Sequence, residues 1–156
     1  MKLRIEWGRP IQLRDGAKQN LIYIVDPNKL PKASGIYILG RHWGSDFEAL
    51  YVGKATNIRG RMKGQLNNLR LMQHLRNAKT GKRIVLTGKI ITRPGQRLEK
   101  SLVLIERTVI RYFLSEGHDL VNKQGTRLRR HEVASTGKHP KRFFPKTMYL
   151  ERAKGE

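Results

Sequence analysis

Gly35-Ile-Tyr37 and Tyr51-Val-Gly53 decide how this chain is read. Each tripeptide has the β-branched and aromatic character of a short strand, and each carries a tyrosine beside a glycine. Strands are predicted over 35–39 and 50–52. The ten residues between them, 40–49, are polar, include Trp43 and Gly44, and read as a loop, an extended hairpin connection. Thr56 or Asn57 follows as a helix cap. Ile58, Met62, Leu66 and Leu69 recur behind it at helical spacing, so Arg61 lies on that helix. Gly60 and Gly64 weaken the helix on propensity alone.

Working outward, Leu3 to Trp7 and Leu21 to Val25 read as strands, the second apolar enough to be buried. Asp26-Pro27-Asn28 is a turn. A short helix is predicted over 71–78 and a strand over 83–92, ended by Pro94-Gly95. Leu98 to about Ser115 is a long apolar helix stopped near Gly117. From Lys123 the chain is basic and weakly periodic, and Phe143, Phe144, Pro145, Met148 and Tyr149 are expected to dock this segment on the body. The fold class is α+β: a small, mainly antiparallel sheet flanked by helices. The division is 1–33, an N-terminal strand extension of the same domain; 34–123, the core; and 124–156, a basic appendage.

The 156 residues hold 33 Lys plus Arg against 12 Asp plus Glu, a net charge of +21. Such an excess destabilises a compact state by self-repulsion unless a polyanion neutralises it. Nucleic acid is the first such partner to consider, with anionic membrane and acidic protein as alternatives. No Asp or Glu occurs between Glu48 and Glu99, whereas Arg59, Lys63, Arg70 and Arg76 fall in that window. The absence of cysteine rules out disulfides and cysteine-bound zinc. No run is apolar enough for a membrane span, and no signal-peptide core opens the chain, so an intracellular, cytoplasmic protein is expected.

Glu106 stands out without reference to any family. At 100° per residue, Leu102, Val109, Ile110 and Phe113 form one apolar stripe, and Glu106 falls inside it. A carboxylate there is costly unless a cation satisfies it. That cation is a divalent metal ion, an arginine, or each in turn. Glu99 lies near the same face and is the alternative metal ligand, although a Glu in a first helical turn also serves the helix dipole.

The ordered set of Tyr37, Tyr51, Gly53, Arg61, Glu106 and Asn122 resembles the GIY-YIG nuclease family over residues 34–123. The run from Tyr51 to Arg61 is similar to the corresponding run in the nuclease half of UvrC-like members. The resemblance implies a metal-dependent endonuclease acting on DNA, leaving 5′-phosphate and 3′-hydroxyl ends. It implies one divalent ion, Mg or Mn, on Glu106, with no small-molecule cofactor and no membrane partner; RNA stays open as a substrate. Arg61 corresponds to the family's phosphate-contacting arginine, a role that suits a planar guanidinium. Tyr37 and Tyr51 correspond to the hydroxyls that position or deprotonate the attacking water. A phenol with a pKa of about 10 needs Lys54, Arg61 or the metal nearby to act as a base. Gly53 is expected to permit a tight strand exit near the phosphate, and Asn122 to tie the long helix to the strands.

One position departs from the pattern. Four residues after the arginine the family has a histidine or tyrosine, and here Gln65 stands there. Glutamine orients a water but removes no proton. The base is then Tyr37, a metal-bound hydroxide or another histidine, of which His74 is nearest in sequence; His42, His118, His131 and His139 read as surface residues. Arg59, Lys63, Arg70 and Arg76, with Arg127, Arg129 and Arg130 in the tail, are the candidate backbone contacts to nucleic acid; a solvated charge run reads equally well for the tail. Two other function classes fit the same composition: a catalytically silent nucleic-acid-binding module, and a basic ribosome-associated protein.

Overall fold

The computed structural model describes residues 2–118, 120–121 and 128–153. Among these the chain forms a small α+β domain with three α-helices and antiparallel sheets. The main sheet has β5 (Gly35–Trp43) at its centre. β6 (Asp46–Ala55) pairs with it on one side and β7 (Lys82–Ile91) on the other. β1 (Arg4–Trp7) and β2 (Ile11–Gln12) extend the sheet beyond β7, which leaves β6 as the opposite edge.

The two faces of β5 separate by the period of the strand. Tyr37 and Leu39 face one core with Ile58, Met62, Met72 and Leu75, which come from α1 (Ile58–Leu66) and α2 (Leu69–Asn77). Ile36 and Ile38 face the other core with Ile105, Ile110 and Leu114 of α3 (Leu98–Ser115). The β5–β6 register shifts between Leu39 and Gly40, so Leu50 is an extra residue. Leu50 and Tyr51 therefore both turn toward α1 and α2, whereas Ala49 and Val52 turn toward α3.

Several expectations need correction. Residues 40–49 are not a loop: β5 and β6 continue to Trp43 and Asp46, joined by Gly44-Ser45 with Gly44 at φ +57. Polar contacts across and along the strands hold this extension. Arg41 pairs with Glu48 at 3.0 Å and its guanidinium lies 3.8 Å over Trp43. Leu21 to Val25 is not a buried strand of the sheet. Only β4 (Tyr23–Ile24) is extended, half-buried, and paired with β3 (Arg14–Asp15) beside the main sheet. The helical spacing that ran from Ile58 on to Leu69 breaks at Asn67, and the short helix predicted over 71–78 is α2, which starts at Leu69 and is capped by Asn68 accepting from the Leu71 N–H.

The basic tail forms a hairpin, β8 (Leu128–Ala134) with β9 (Thr147–Ala153). Tyr149 approaches Gly117, but Phe143 is 84% exposed rather than docked on the body. His118 is not a surface residue. It is half-buried between Phe47 and Phe113, and its Nδ1 accepts the Ala49 N–H at 2.8 Å. No helix among the described residues is long and apolar enough to cross a membrane.

Candidate active site

The edge position of β6 makes the site. A cleft of about 620 Å³ opens at the C-terminal end of this strand, between α1 and α3. Lys54, Ala55 and Thr56 form its floor. Asn57, Gly60 and Arg61 line it from α1, and Glu99, Leu102 and Val103 from α3. Asn57 starts α1 by accepting from the Gly60 N–H at 3.2 Å. Arg61, one turn on, is exposed to the cleft.

Behind Arg61 lies the tyrosine pair. The rings of Tyr37 and Tyr51 stack with centroids 6.0 Å apart. One amide serves both hydroxyls: Gln65 Nε2 donates to Tyr37 at 2.7 Å and to Tyr51 at 3.2 Å. Tyr37 is fully buried and Tyr51 half-buried. Burial pushes the Tyr37 hydroxyl up to about 12, only partly opposed by the hydrogen bond from Gln65. That hydroxyl faces Arg61 and raises the pKa of the guanidinium, holding it firmly in its charged form.

Gly53 is explained by Tyr37 rather than by a phosphate. The two residues are cross-strand partners, and a Cβ on Gly53 would overlap the Tyr37 ring and hydroxyl. Gly60 is open to the cleft, and a Cβ there would meet Asn57 only at ordinary contact distance. Gly64 has nothing near it.

Glu106 faces Lys54 across the sheet edge, with Oε1 3.4 Å from Nζ. Its side chain is 21% exposed and that of Lys54 42% exposed. The carboxylate is thus neither fully buried nor paired with arginine; the cation that meets it is a lysine free to swing away. Glu99 is exposed on the cleft wall, two turns earlier on the same helix. Among the described residues no three acidic or histidine side chains cluster. A magnesium-like ion keeps most of its water and needs only one or two carboxylates from the protein; Glu106 at the cleft edge and Glu99 on its wall are the carboxylates that could supply one.

Other predicted residues lie elsewhere. His74 is half-buried on α2 and lines a separate hollow with Arg41 and Glu48, so it is not brought to the cleft. Its Nε2 is buried without a hydrogen-bond partner among the described residues. Arg59 is drawn inward, donating from Nε to the Leu30 carbonyl at 2.8 Å, and does not present its charge as Lys63, Arg70 and Arg76 do. Arg129 and Arg130 lie on β8. Asn122 and Arg127 lie outside the described residues.

Two contributors escaped the sequence reading. Asn68 reaches Gln65, with Nδ2 3.5 Å from Oε1. Arg83 closes the end of α2 through the Leu75 and Ala78 carbonyls, at 2.6 and 2.8 Å. The Asn67-Asn68 pair was a readable cap signal for Asn68; nothing local marked Arg83. Comparison of the chain with protein-family models, with curated proteins and with solved structures found no match.

Proposed function

We propose that this protein is a divalent-metal-dependent endonuclease of the GIY-YIG type, hydrolysing DNA phosphodiester bonds to 5′-phosphate and 3′-hydroxyl ends. The observation that carries the reading is Arg61. It stands between the Tyr37–Tyr51–Gln65 cluster behind it and a cleft with Glu99 on its far wall and the Lys54–Glu106 pair at its edge. The ordered motif and the net charge of +21 support the same reading.

In this account the basic surface gathers the strand by its phosphates, and Lys63, Arg70 and Arg76 contribute without reading sequence. Arg61 binds the scissile phosphate and stabilises the charge that grows on its oxygens in the transition state. The Tyr37 hydroxyl it faces helps to hold the guanidinium in its charged form. The tyrosine cluster orients the attacking water. Lys54 leaves Glu106 to contact phosphate, freeing the carboxylate as a ligand. Glu106 would hold a divalent ion, which would supply polarisation of a phosphate oxygen and charge stabilisation of the leaving oxygen.

The Lys54–Glu106 contact also favours a second reading, since a carboxylate satisfied by lysine requires no metal. A silent nucleic-acid-binding module on this fold binds DNA with a steep salt dependence and needs no divalent ion. Incubation of supercoiled plasmid and of short single- and double-stranded DNA with the protein in Mg²⁺, Mn²⁺ or EDTA separates the two. Cutting that EDTA abolishes is the expected result. Binding without cutting of any of these substrates selects the silent module.

A further inference from the structure

Phe143 is the most exposed large apolar side chain among the described residues, at 84%. It stands in residues 135–146, which join β8 to β9. A phenyl ring left in water is unfavourable, and a loop with freedom to move would fold it inward. This loop is tied instead. The Ser135 N–H donates to the Lys146 carbonyl at 2.7 Å and closes its base. The Phe143 N–H donates to the Pro140 carbonyl at 2.9 Å, which makes a turn through Lys141 and Arg142. His139 Nε2 donates to the Phe144 carbonyl at 2.8 Å, and the two rings meet with centroids 4.9 Å apart. Phe144 is thus turned into the loop and Phe143 out of it.

The charge around the outward ring is of one sign. Lys138, Lys141, Arg142 and Lys146 are exposed in the same loop, and no Asp or Glu occurs between Glu132 and Glu151. The hairpin is seated on the body through Tyr149, whose ring fills the space over Gly117 just past α3. No described residue of the hairpin lines the cleft. Clustered cations select an anionic partner, and a flat apolar ring among them selects a partner with a flat face. A nucleic-acid strand has both, with phosphates along its backbone and a π-face on every base. In a duplex those faces are covered, and a phenyl ring reaches them only by prying a base step open. Nor does a phenyl carry a donor or acceptor with which to read a groove edge. Unpaired bases offer their faces without that cost.

We infer that the β8–β9 loop is a binding site for single-stranded DNA, in which Phe143 stacks on an unpaired base and Lys141 and Arg142 meet the flanking phosphates. As a statement of substrate class this rests on the nuclease reading, and directs it to DNA with unpaired bases; as a statement of binding it does not.

The test measures binding in EDTA, where no metal-dependent cutting intervenes. The probes are a fluorescently labelled single strand of mixed sequence and the same strand in a duplex, titrated with full-length protein over a range of salt. Phe143→Ala should weaken single-strand binding about tenfold, the scale of one lost base stack, and leave duplex binding nearly unchanged. Stacking releases no counterion, so the salt slope of this variant should equal that of wild type. Arg142→Ala should lower the single-strand slope by about 0.7, as loss of one phosphate contact does. Phe143→Trp should restore the affinity and Phe143→Leu should not, which separates stacking from apolar contact. The ring is exposed, so these variants should keep the wild-type urea midpoint.

An unchanged single-strand affinity in Phe143→Ala, an equal loss on the duplex, or full affinity in Phe143→Leu overturns the assignment. Loss of self-association in sedimentation, with DNA binding intact, also overturns it and makes the loop an interface between copies of the chain. Phe143-dependent single-strand binding by a protein that cuts no DNA leaves the loop site standing and removes the nuclease reading. Metal-dependent cutting with no effect of Phe143→Ala on binding does the reverse.

Discussion

Gly53 stands directly across from Tyr37 in the β5–β6 pair, and the tyrosine ring occupies the space that a side chain at residue 53 would need. The third position of Tyr51-Val-Gly53 is therefore a packing requirement of the second motif strand on the tyrosine of the first. Tyr37 has no room to retreat, because it is fully buried under α1 and α2. Gly53→Ala should destabilise the fold by about 1–3 kcal/mol, as overpacking does. Gly64→Ala is the control. Its Cβ meets nothing within 4 Å and its φ is ordinary for a helix, so a gain of about 0.4–1 kcal/mol is expected. Urea denaturation of the two variants measures both, and a neutral Gly53→Ala contradicts the packing argument.

The Lys54–Glu106 contact should contribute little to stability. Both side chains reach solvent, and exposed pairs contribute about 0–1 kcal/mol. Lys54→Met should therefore leave the urea midpoint almost unchanged while cleavage falls. A stability loss well above that range would make the pair a structural element and weaken its place in the chemistry.

Tyr37 gives the protein an alkaline liability. Its folded pKa, about 12, lies above the unfolded value of about 10. Between these values the unfolded chain has lost the proton and the folded one retains it. The stabilisation is complete below about pH 10 and is lost as pH rises through about 12, about 3 kcal/mol in all. Tyr37→Phe should flatten this part of the stability–pH curve, and an equal slope in both proteins would count against a buried neutral Tyr37.

The basic residues should divide into two groups. Lys63→Ala and Arg70→Ala should each lower the slope of log K against log salt by about 1, as loss of a phosphate contact does. Arg59→Ala should leave that slope unchanged and cost about 1 kcal/mol of stability, because its Nε–H is bound to the Leu30 carbonyl. Salt titrations of DNA binding separate the groups. A reduced slope for Arg59→Ala would return it to the interface.

The sequence was most legible where side-chain period and caps were local. The strands around Tyr37 and Tyr51, the Asn57 cap and the apolar helix of Leu98–Ser115 lie close to where their patterns put them. The extension over residues 40–49 was hidden because its contacts are polar ones of Arg41: with Glu48 across the strands, and over Trp43 two residues along the same strand. Hydrophobic alternation does not register such pairs. The role of Gln65 was hidden for a different reason. A glutamine where the family it resembles has a histidine or tyrosine reads only as a missing base until two registers are known, that of β5 on β6 and that of Asn68 at the start of α2. His74 misled because nearness in sequence is not nearness in space: α2 carries it to a separate hollow, beside Arg41 and Glu48.

The most direct test of the central claim is the rate at which Glu106→Gln nicks supercoiled plasmid in Mg²⁺, beside wild type and at protein concentrations that saturate the DNA. The account predicts metal-dependent nicking by wild type and a loss of about 100-fold or more in the variant, the scale of a lost electrostatic stabiliser, with DNA binding retained. Nicking by Glu106→Gln at the wild-type rate would contradict it and make Glu99, on the same cleft, the next carboxylate to replace.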